Sequence, residues 1–232
     1  MSDTVFRDSS GRSLSDYPRP SVAVDTALLT PDPAEGLLVL QVKRADATGW
    51  ALPGTFLHEG ERLADAVERS LRDKAGIDGV TPHQLEVFDE PNRDDRGWVL
   101  SVAHAAIVSA DRLVSRLASQ TRLVPVEHPG RLIYDHRVII AKAVAHIRSR
   151  YAEMPDPDRL LADQFTLREL RLIHDCIAAD ELDRDWFRRT MKAHLQPTGV
   201  MSEGARGRPA ELFRRRPDPG SSKDEGARGR DA

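Results

Sequence analysis

Apolar residues gather in four short segments within the first half of the chain. Segments 21–29 (SVAVDTALL) and 37–42 (LLVLQV) are apolar and β-branched, and a PDPAEG turn separates them. This pattern predicts two strands, and segments 85–88 and 98–108 predict two more. The polar loop between the second pair, residues 89–97, is long for a simple hairpin, and long loops are often functional.

Two further segments carry apolar residues at the spacing of a helix. The apolar faces are Leu63, Ala66, Val67 and Leu71 in the first, and Ile139, Ile140, Ala143, Val144, Ile147 and Tyr151 in the second, which runs from Asp135 to Met154. The order strands, helix, strands, helix predicts an α/β (α+β) domain over residues 21–154, with a mixed sheet between helices. Residues 1–20 are polar and contain two prolines, so we expect a flexible arm there.

From residue 155 onward the pattern changes to helices joined by short turns. Segment 165–179 predicts a helix with a capping box, because Thr166 is followed three residues later by Glu169. Its buried stripe should consist of Leu167, Leu170, Ile173 and Ile177. The next helix should run from Arg184 to Leu195, with Asp183 as its cap and PTG as its stop.

A glycine-bearing turn and a short extended segment, 208–216, follow these two helices. Helix, short turn, helix and extended arm together predict a winged helix-turn-helix domain over residues 155–216. Residues 217–232 contain no apolar content to bury, so we expect a disordered tail.

Composition fits a folded protein without a membrane span. The 232 residues carry a net charge of −3, and Cys176, the one cysteine, should be a small buried core residue. The start of the chain lacks a signal peptide pattern, which favours a soluble cytoplasmic protein without disulfides. Between Arg188 and Arg216, however, eight lysines and arginines face two glutamates, a local charge of +6 that indicates a polyanionic partner.

Three of these cations, Arg188, Arg189 and Lys192, lie on the second predicted helix of the winged domain. Phe187, Met191 and Leu195 fall on one side of it, so the opposite charged face is free to contact double-stranded DNA. A solvated basic face that binds nothing is the alternative. The candidate DNA-binding residues are Thr166, Arg168, Arg184, Arg188, Arg189, Lys192, Arg206 and Arg208.

The first predicted helix resembles the catalytic helix of a known family. Segment 55–77 (TFLHEGERLADAVERSLRDKAGI) resembles the Nudix box and is preceded by the usual Leu-Pro-Gly. The positions that match are Glu61, Arg69, Leu71, Gly76 and Ile77. The first glycine of the box falls on Thr55, and its metal-binding glutamates fall on Ser70, Asp73 and Lys74.

These exchanges remove the chemistry that the Nudix box normally supports. Carboxylates at i, i+3 and i+4 share one helix face and can hold Mg²⁺ against a pyrophosphate. Ser70 is a weak neutral ligand, Asp73 is shorter than glutamate, and the charge of Lys74 repels a metal cation. We therefore expect no catalytic residue, no metal and no cofactor. The Lys74 ammonium could instead take the place of the cation beside a bound diphosphate.

The resemblance also implies a cleft beside this helix, in which a nucleotide would be bound as an effector. The candidate ligand-binding residues are Arg44, Trp50, Phe56, Glu61, Arg69, Lys74, Arg93 and Trp98. The arginines suit a diphosphate, and the aromatic residues are possible adenine platforms. Packing in the core is an equally good reading of the aromatic residues, and His136 is better explained by packing or capping than by catalysis.

Both parts together, over residues 20–216, resemble the NrtR family of Nudix-related transcriptional regulators of NAD metabolism. The resemblance rests on FTLRELRLIHDCI, LDRDWFRRTM and GRPAELFR in addition to the Nudix box. It implies a homodimeric repressor that binds operator DNA of NAD synthesis or salvage genes and senses ADP-ribose or a related nucleotide. A pyrophosphatase acting on ADP-ribose, or a regulator of another pathway such as sugar catabolism, remains an alternative.

Overall fold

The computed structural model describes residues 6–44, 49–202 and 209–216. Among these residues, seven strands form one mixed sheet in which β1 and β6 are parallel and the other pairs are antiparallel. The strands are β1 (Ser21–Asp32), β2 (Gly36–Lys43), β3 (Trp50–Ala51), β4 (Gly54–Phe56), β5 (His83–Phe88), β6 (Val99–Ile107) and β7 (Thr121–Pro125).

Two helices, α1 (Leu63–Ala75) and α2 (His136–Glu153), cover opposite faces of this sheet. Side chains of β1 alternate between the two faces, as strand geometry requires. Val24 and Leu28 pack in a cluster with Leu71 of α1, whereas Leu29 packs in a second cluster with Ile139 of α2. The predicted mixed sheet between helices is confirmed.

Three strands of the sheet lie where the sequence pattern gave no strand. In the segment between β2 and α1, β3 pairs with β2, and β4 pairs with β1. The third strand, β7, pairs with β2 along its whole length. All three are short, so too few residues alternate to produce a periodic signal.

The second domain consists of α3 (Leu167–Ala178), α4 (Arg184–Lys192) and a three-stranded sheet in the order β8-β10-β9. Its strands are β8 (Phe165–Thr166), β9 (Leu195–Met201) and β10 (Glu211–Arg215). Thr166 Oγ1 accepts a hydrogen bond from the Glu169 backbone N–H at 3.2 Å, and the Glu169 carboxylate accepts one from the Thr166 N–H at 2.7 Å. The predicted capping box is confirmed.

Both helices of this domain are shorter than predicted, because apolar residues at their ends are buried in strands. Leu195 pairs with Arg215 in the sheet, and Phe165 pairs with Phe213. Leu195, Phe165 and Phe213 all pack in one hydrophobic cluster with Phe187 of α4. Strand pairing therefore outweighs the helical spacing of Leu195.

The predicted apolar stripe of α3 is divided between two cores. Leu170 packs in the cluster of the second domain, with Leu167 at its edge. Ile177 is buried in the cluster that β1 and α2 form in the first domain, with Ile173 at its edge. A single helix is thus a structural part of both domains.

Cys176, on the same helix, is only half-buried, which corrects the prediction of a core residue. Its Sγ donates a weak hydrogen bond to the Asp32 carbonyl oxygen at 3.4 Å, and burial raises the pKa of the thiol. The position bridges α3 and the end of β1, so the residue is part of the contact between the domains.

Asp156 anchors the link between the domains. Its fully buried carboxylate pairs with Arg215 of β10 and accepts hydrogen bonds from the backbone N–H groups of Leu160 and Leu161 at 2.7 and 2.9 Å. The Tyr151 hydroxyl of α2 lies 3.3 Å from the same carboxylate. A buried charge persists only when it is paired in this way, so the linker is fixed to elements on both sides.

The ends of the chain are only partly described. Residues 6–20 of the expected arm include a short 3-10 helix, Leu14–Asp16. The expected tail, 217–232, and the two candidates Arg206 and Arg208 lie outside the described residues. None of the helices within the described ranges is long and apolar enough to cross a membrane.

Candidate functional site

A cavity of about 510 Å³ opens where α1, β4 and the start of α2 meet, and we name it the cleft. Both cationic and anionic side chains line it. Its polar and aromatic lining residues are Asp25, Lys43, Arg44, Thr55, Phe56, Asp73, Lys74, Arg93, Asp94, Arg96, Gln120, Tyr134 and His136.

Asp25 of β1 lies at the inner end of a buried charge network that borders the cleft. Its carboxylate accepts a hydrogen bond from Ser101 Oγ at 2.6 Å and lies 3.4 Å from His136 Nε2 and 3.8 Å from Arg93 Nη2. Burial raises the pKa of Asp25, but these neighbours together outweigh it and hold the pKa below its usual value. The sequence contained a signal for it, a lone acid within the apolar strand SVAVDTALL, which the pattern analysis did not use.

His136 is fixed by the backbone of the loop before β4. Its Nδ1 accepts a hydrogen bond from the Leu52 N–H at 3.0 Å, which leaves Nε2 to face Asp25. Its side chain is buried at the start of α2. The interpretation of His136 as a packing residue fits these contacts.

Gly54 brings the backbone of β4 unusually close to Asp25. A Cβ at this position would lie 2.0 Å from Asp25 Oδ1, so only glycine fits. The Gly54 carbonyl accepts a hydrogen bond from Lys74 Nζ, which reaches across from α1. Burial of the ammonium lowers the pKa of Lys74, and the charge of Asp25 partly opposes this. Within the described residues no carboxylate forms an ion pair with Lys74, so its charge is available to a ligand.

Two candidates from the Nudix-like segment, Glu61 and Arg69, lie outside the lining of the cleft, as does Ser70. Arg69 forms an ion pair with Glu61 at 2.7 Å and donates hydrogen bonds to Thr55 Oγ1 and the Phe56 carbonyl oxygen. The hydrogen bonds from Arg69 and from the His58 backbone N–H lower the pKa of Glu61 to about 2. The bonds from Arg69 to Thr55 and Phe56 fix β4 to α1. Ser70 is buried, and its Oγ has no hydrogen-bond partner among the described residues.

The donor set does not fit Mg²⁺. Of the three positions that hold glutamates in the Nudix box, Asp73 alone places a carboxylate in the lining, and Lys74 adds an ammonium beside it. Over the described part of the chain no group of three or more His, Cys, Asp or Glu side chains could hold a metal ion. An ammonium beside the surviving carboxylate would repel a divalent cation.

The other candidate ligand residues fall in different places. Arg44, Phe56 and Arg93 line the cleft, and Arg93 is held by Asp135 at 2.6 Å. Trp50 lines an adjoining cavity of about 830 Å³, which we name the side cavity. Trp98 is 49% exposed and belongs to neither lining.

Arg96 also lines the cleft, although it was not among the candidates from the sequence. It forms a two-point ion pair with Asp94, with distances of 2.9 and 2.6 Å. Its guanidinium lies over the rings of Phe56, at 4.9 Å, and Tyr134, at 5.3 Å. No spacing rule connects these residues, because they come from three separate loops and strands.

The second domain presents α4 with one face buried and the others exposed. Phe187 and Met191 are buried, and the four cationic candidates of this helix are exposed: Arg184, Arg188, Arg189 and Lys192. Arg168, in the first turn of α3, is exposed too, whereas Thr166 uses its hydroxyl to cap its own helix. Trp186 adds a 45% exposed indole to the same surface, which the sequence analysis did not single out.

Comparison with family models defines the class of protein. Residues 19–143 match the model described as the NUDIX domain, and residues 158–215 match the model described as the NrtR DNA-binding winged helix domain. The fold and the two surfaces therefore define a transcriptional regulator with a Nudix domain joined to a DNA-binding winged helix.

The chain belongs to the NrtR family. It is 30% identical over 210 residues to the ADPR responsive transcriptional repressor NtrR of Acinetobacter baylyi, covering 86% of this chain and 84% of that protein. It also resembles Shewanella oneidensis NrtR in complex with a 27mer DNA, with a TM-score of 0.71, 29% identity and coverage of 84% and 93% of the two chains.

A third match concerns the first domain alone. The Nudix domain of Shewanella oneidensis NrtR in complex with ADP ribose has a TM-score of 0.50 and 27% identity, and the match covers 60% of this chain and 95% of that one. The resemblance to the Nudix and NrtR families and the predicted Nudix and winged-helix folds are confirmed.

Proposed function

We propose that this protein is a transcriptional repressor whose binding to operator DNA is controlled by ADP-ribose or a related nucleotide held in the cleft. It would act in the cytoplasm, as a homodimer, on genes of NAD synthesis or salvage. The observation that carries the proposal is that α3 is buried in both cores, because this contact ties the ligand-binding domain to the DNA-binding domain.

The cleft is suited to bind a diphosphate without hydrolysing it. Hydrolysis in a Nudix site depends on a cation that neutralises the phosphates and activates water. Here the Lys74 ammonium supplies one positive charge and Arg44 adds a guanidinium, and of the three positions that hold glutamates in the Nudix box only Asp73 carries a carboxylate. An ammonium can stabilise the phosphate charge but cannot generate a metal-bound nucleophile.

Helix α2 connects the cleft with the DNA-binding helix. The first residue of α2, His136, lines the cleft. Near the other end of the helix, the buried Tyr151 lies at the domain junction beside Asp156. The centres of the Tyr151 and His174 rings are 5.2 Å apart, and those of the His174 and Phe187 rings are 5.0 Å apart, with Phe187 on α4. Arg148 of α2 also donates a hydrogen bond to the Ile177 carbonyl oxygen at 2.9 Å. A ligand that shifts α2 would therefore shift α4 relative to the DNA.

Titration of a DNA complex with candidate effectors tests this function. The protein is bound to the duplex that it selects from a random-sequence pool, and ADP-ribose, NAD and sugar phosphates are added in turn. We expect ADP-ribose to lower the affinity for DNA, by about 5- to 150-fold as is typical of coupled sites, as followed by fluorescence anisotropy. An unchanged affinity with ADP-ribose, or a response to a sugar phosphate alone, would contradict the proposal.

The variant Lys74→Glu tests the role of the ammonium. It restores a carboxylate where the Nudix box has one, so it removes the positive charge and adds a repulsion against a diphosphate. We expect the unaltered protein to bind ADP-ribose equally well with Mg²⁺ and with EDTA. The variant should bind it at least tenfold more weakly in EDTA and recover part of the loss when Mg²⁺ is added, as measured by isothermal titration calorimetry.

Arg62→Glu is the matched control, because it reverses a charge at the exposed start of the same helix, outside the cleft. Its affinity for ADP-ribose should stay within about twofold of the parent protein. Equal affinities of the Lys74 variant and the parent protein in EDTA would remove Lys74 from the binding site.

A further inference from the structure

Trp50 and Arg122 form a stacked pair in the wall of the side cavity. The guanidinium carbon of Arg122 lies 4.3 Å from the centre of the Trp50 ring. Strand pairing brings them together, because Trp50 of β3 is opposite Lys43 and Arg122 of β7 is opposite Gln41, both on β2. The pair therefore belongs to the rigid sheet and not to a loop.

A buried glutamine holds the guanidinium in place. Gln41 is fully buried, its Oε1 accepts hydrogen bonds from Arg122 Nε at 3.0 Å and Nη2 at 2.8 Å, and its Nε2 donates to the Pro129 carbonyl oxygen at 2.8 Å. Burying an amide is unfavourable unless its hydrogen bonds are made. A core position of β2 thus serves to hold the guanidinium over the indole.

The charge of Arg122 has no counterpart among the described residues. Its described hydrogen bonds go to the neutral Gln41, and within the described ranges no carboxylate lies in ion-pair contact with it. Burial without an acidic partner lowers the pKa of Arg122. Such a planar cation beside an aromatic ring can bind the flat face of a base, since guanidinium and aromatic planes both stack on nucleobases.

The position of the stack indicates which part of a nucleotide would reach it. The side cavity shares Arg44, Arg93, Ile133 and Tyr134 with the cleft, so one extended ligand can occupy both. In the proposed function Lys74 and Arg44 hold the diphosphate in the cleft, which would leave the side cavity for the group at one end of the ligand. Asn92 lines the side cavity, and a carboxamide can form two hydrogen bonds with the edge of adenine.

We propose that the Trp50–Arg122 stack is the adenine subsite of the effector, and that Gln41 is its positioning residue. The inference rests on the proposed function, since it assigns one end of the same nucleotide. A phosphate group of the ligand is the competing occupant of this cavity, because Arg122 is cationic.

The test compares a ligand that has a base with one that lacks it. The affinities of ADP-ribose and ribose 5-phosphate are measured for the full-length protein and for Trp50→Ala and Arg122→Gln, the second ligand by competition. We expect both variants to bind ADP-ribose about 10-fold more weakly or worse, as is typical when a stacked base loses its platform. Their affinity for ribose 5-phosphate should stay within about twofold of the parent protein. Trp50→Phe, which keeps an aromatic face, should retain most of the affinity for ADP-ribose.

Trp98→Ala is the matched control, because this exposed tryptophan lies in neither cavity lining. The affinity of this variant for ADP-ribose should equal that of the parent protein. If ribose 5-phosphate does not compete with the parent protein, Trp50→Phe decides: retained affinity for ADP-ribose supports the inference, and a loss as large as that of Trp50→Ala overturns it. An equal loss for both ligands would assign the cavity to a phosphate and overturn the inference, and so would unchanged binding of ADP-ribose. A parent protein that does not bind ADP-ribose at all would contradict the proposed function itself.

Discussion

We expect the double variant Arg188→Ala/Arg189→Ala to bind the operator duplex roughly 100-fold more weakly than the parent protein. Both side chains are exposed on α4, next to the face that buries Phe187 and Met191 in the domain core. An arginine contact with a base edge contributes about 1–3 kcal/mol, and about 1.4 kcal/mol corresponds to a tenfold change. Two such contacts therefore account for a loss of this size, measured by fluorescence anisotropy at fixed salt.

The control for this variant is Arg62→Ala/Lys142→Ala, which removes the same charge from exposed positions of the first domain. It should bind DNA nearly as well as the parent protein, because neither residue lies on the winged helix. The thermal unfolding of both double variants should match that of the parent protein. If the two variants lost affinity equally, net charge and not α4 would explain DNA binding.

Arg215→Ala should lower the free energy of unfolding by about 3–5 kcal/mol, the usual cost of breaking a buried ion pair. Arg215 neutralises Asp156, whose side chain is 0% exposed, and it also donates hydrogen bonds to the carbonyl oxygens of Leu161 and Ala162. Without it the Asp156 carboxylate remains buried and uncompensated. Urea unfolding followed by circular dichroism measures the change.

The neighbouring variant Arg214→Ala is the matched control. Arg214 is exposed and donates a hydrogen bond to Gln196 Oε1 at 3.1 Å, so its loss should change stability by less than about 0.5 kcal/mol. Asp156→Ala should relieve part of the cost when combined with Arg215→Ala, because the unpaired charge is then gone. If Arg214→Ala and Arg215→Ala lowered the free energy of unfolding by similar amounts, the buried pair of Arg215 with Asp156 would not be a major source of stability.

Sequence patterns predicted the elements whose evidence is local. The apolar face of α2 needed only the spacing of residues such as Ile139, Ile140 and Ile147, all of which are buried. The capping box of α3 needed only Thr166 and Glu169. Spacing within the Nudix-like segment alone showed that Lys74 stands where the Nudix box has a glutamate.

Features that depend on distant partners could not be predicted. Gln41 and Arg122 are 81 positions apart, and only the pairing of β2 with β7 shows that they meet. The buried state of Ser70 depends on the packing of α1 against the sheet, whereas the box pattern placed it with Asp73 and Lys74. Helical spacing predicts that α3 has an apolar stripe, but it does not say that this stripe faces two different partners.

The divided stripe of α3 has a thermodynamic consequence. Because Ile177 completes the core of the first domain and Leu170 completes that of the second, α3 cannot unfold without exposing apolar surface in both. The two domains should therefore melt as one cooperative unit, and a nucleotide that stabilises the first should raise the melting temperature of the second as well. The repressor would then have no freely hinged DNA-binding arm, and its response to ligand would be a small change in the tilt of a shared helix.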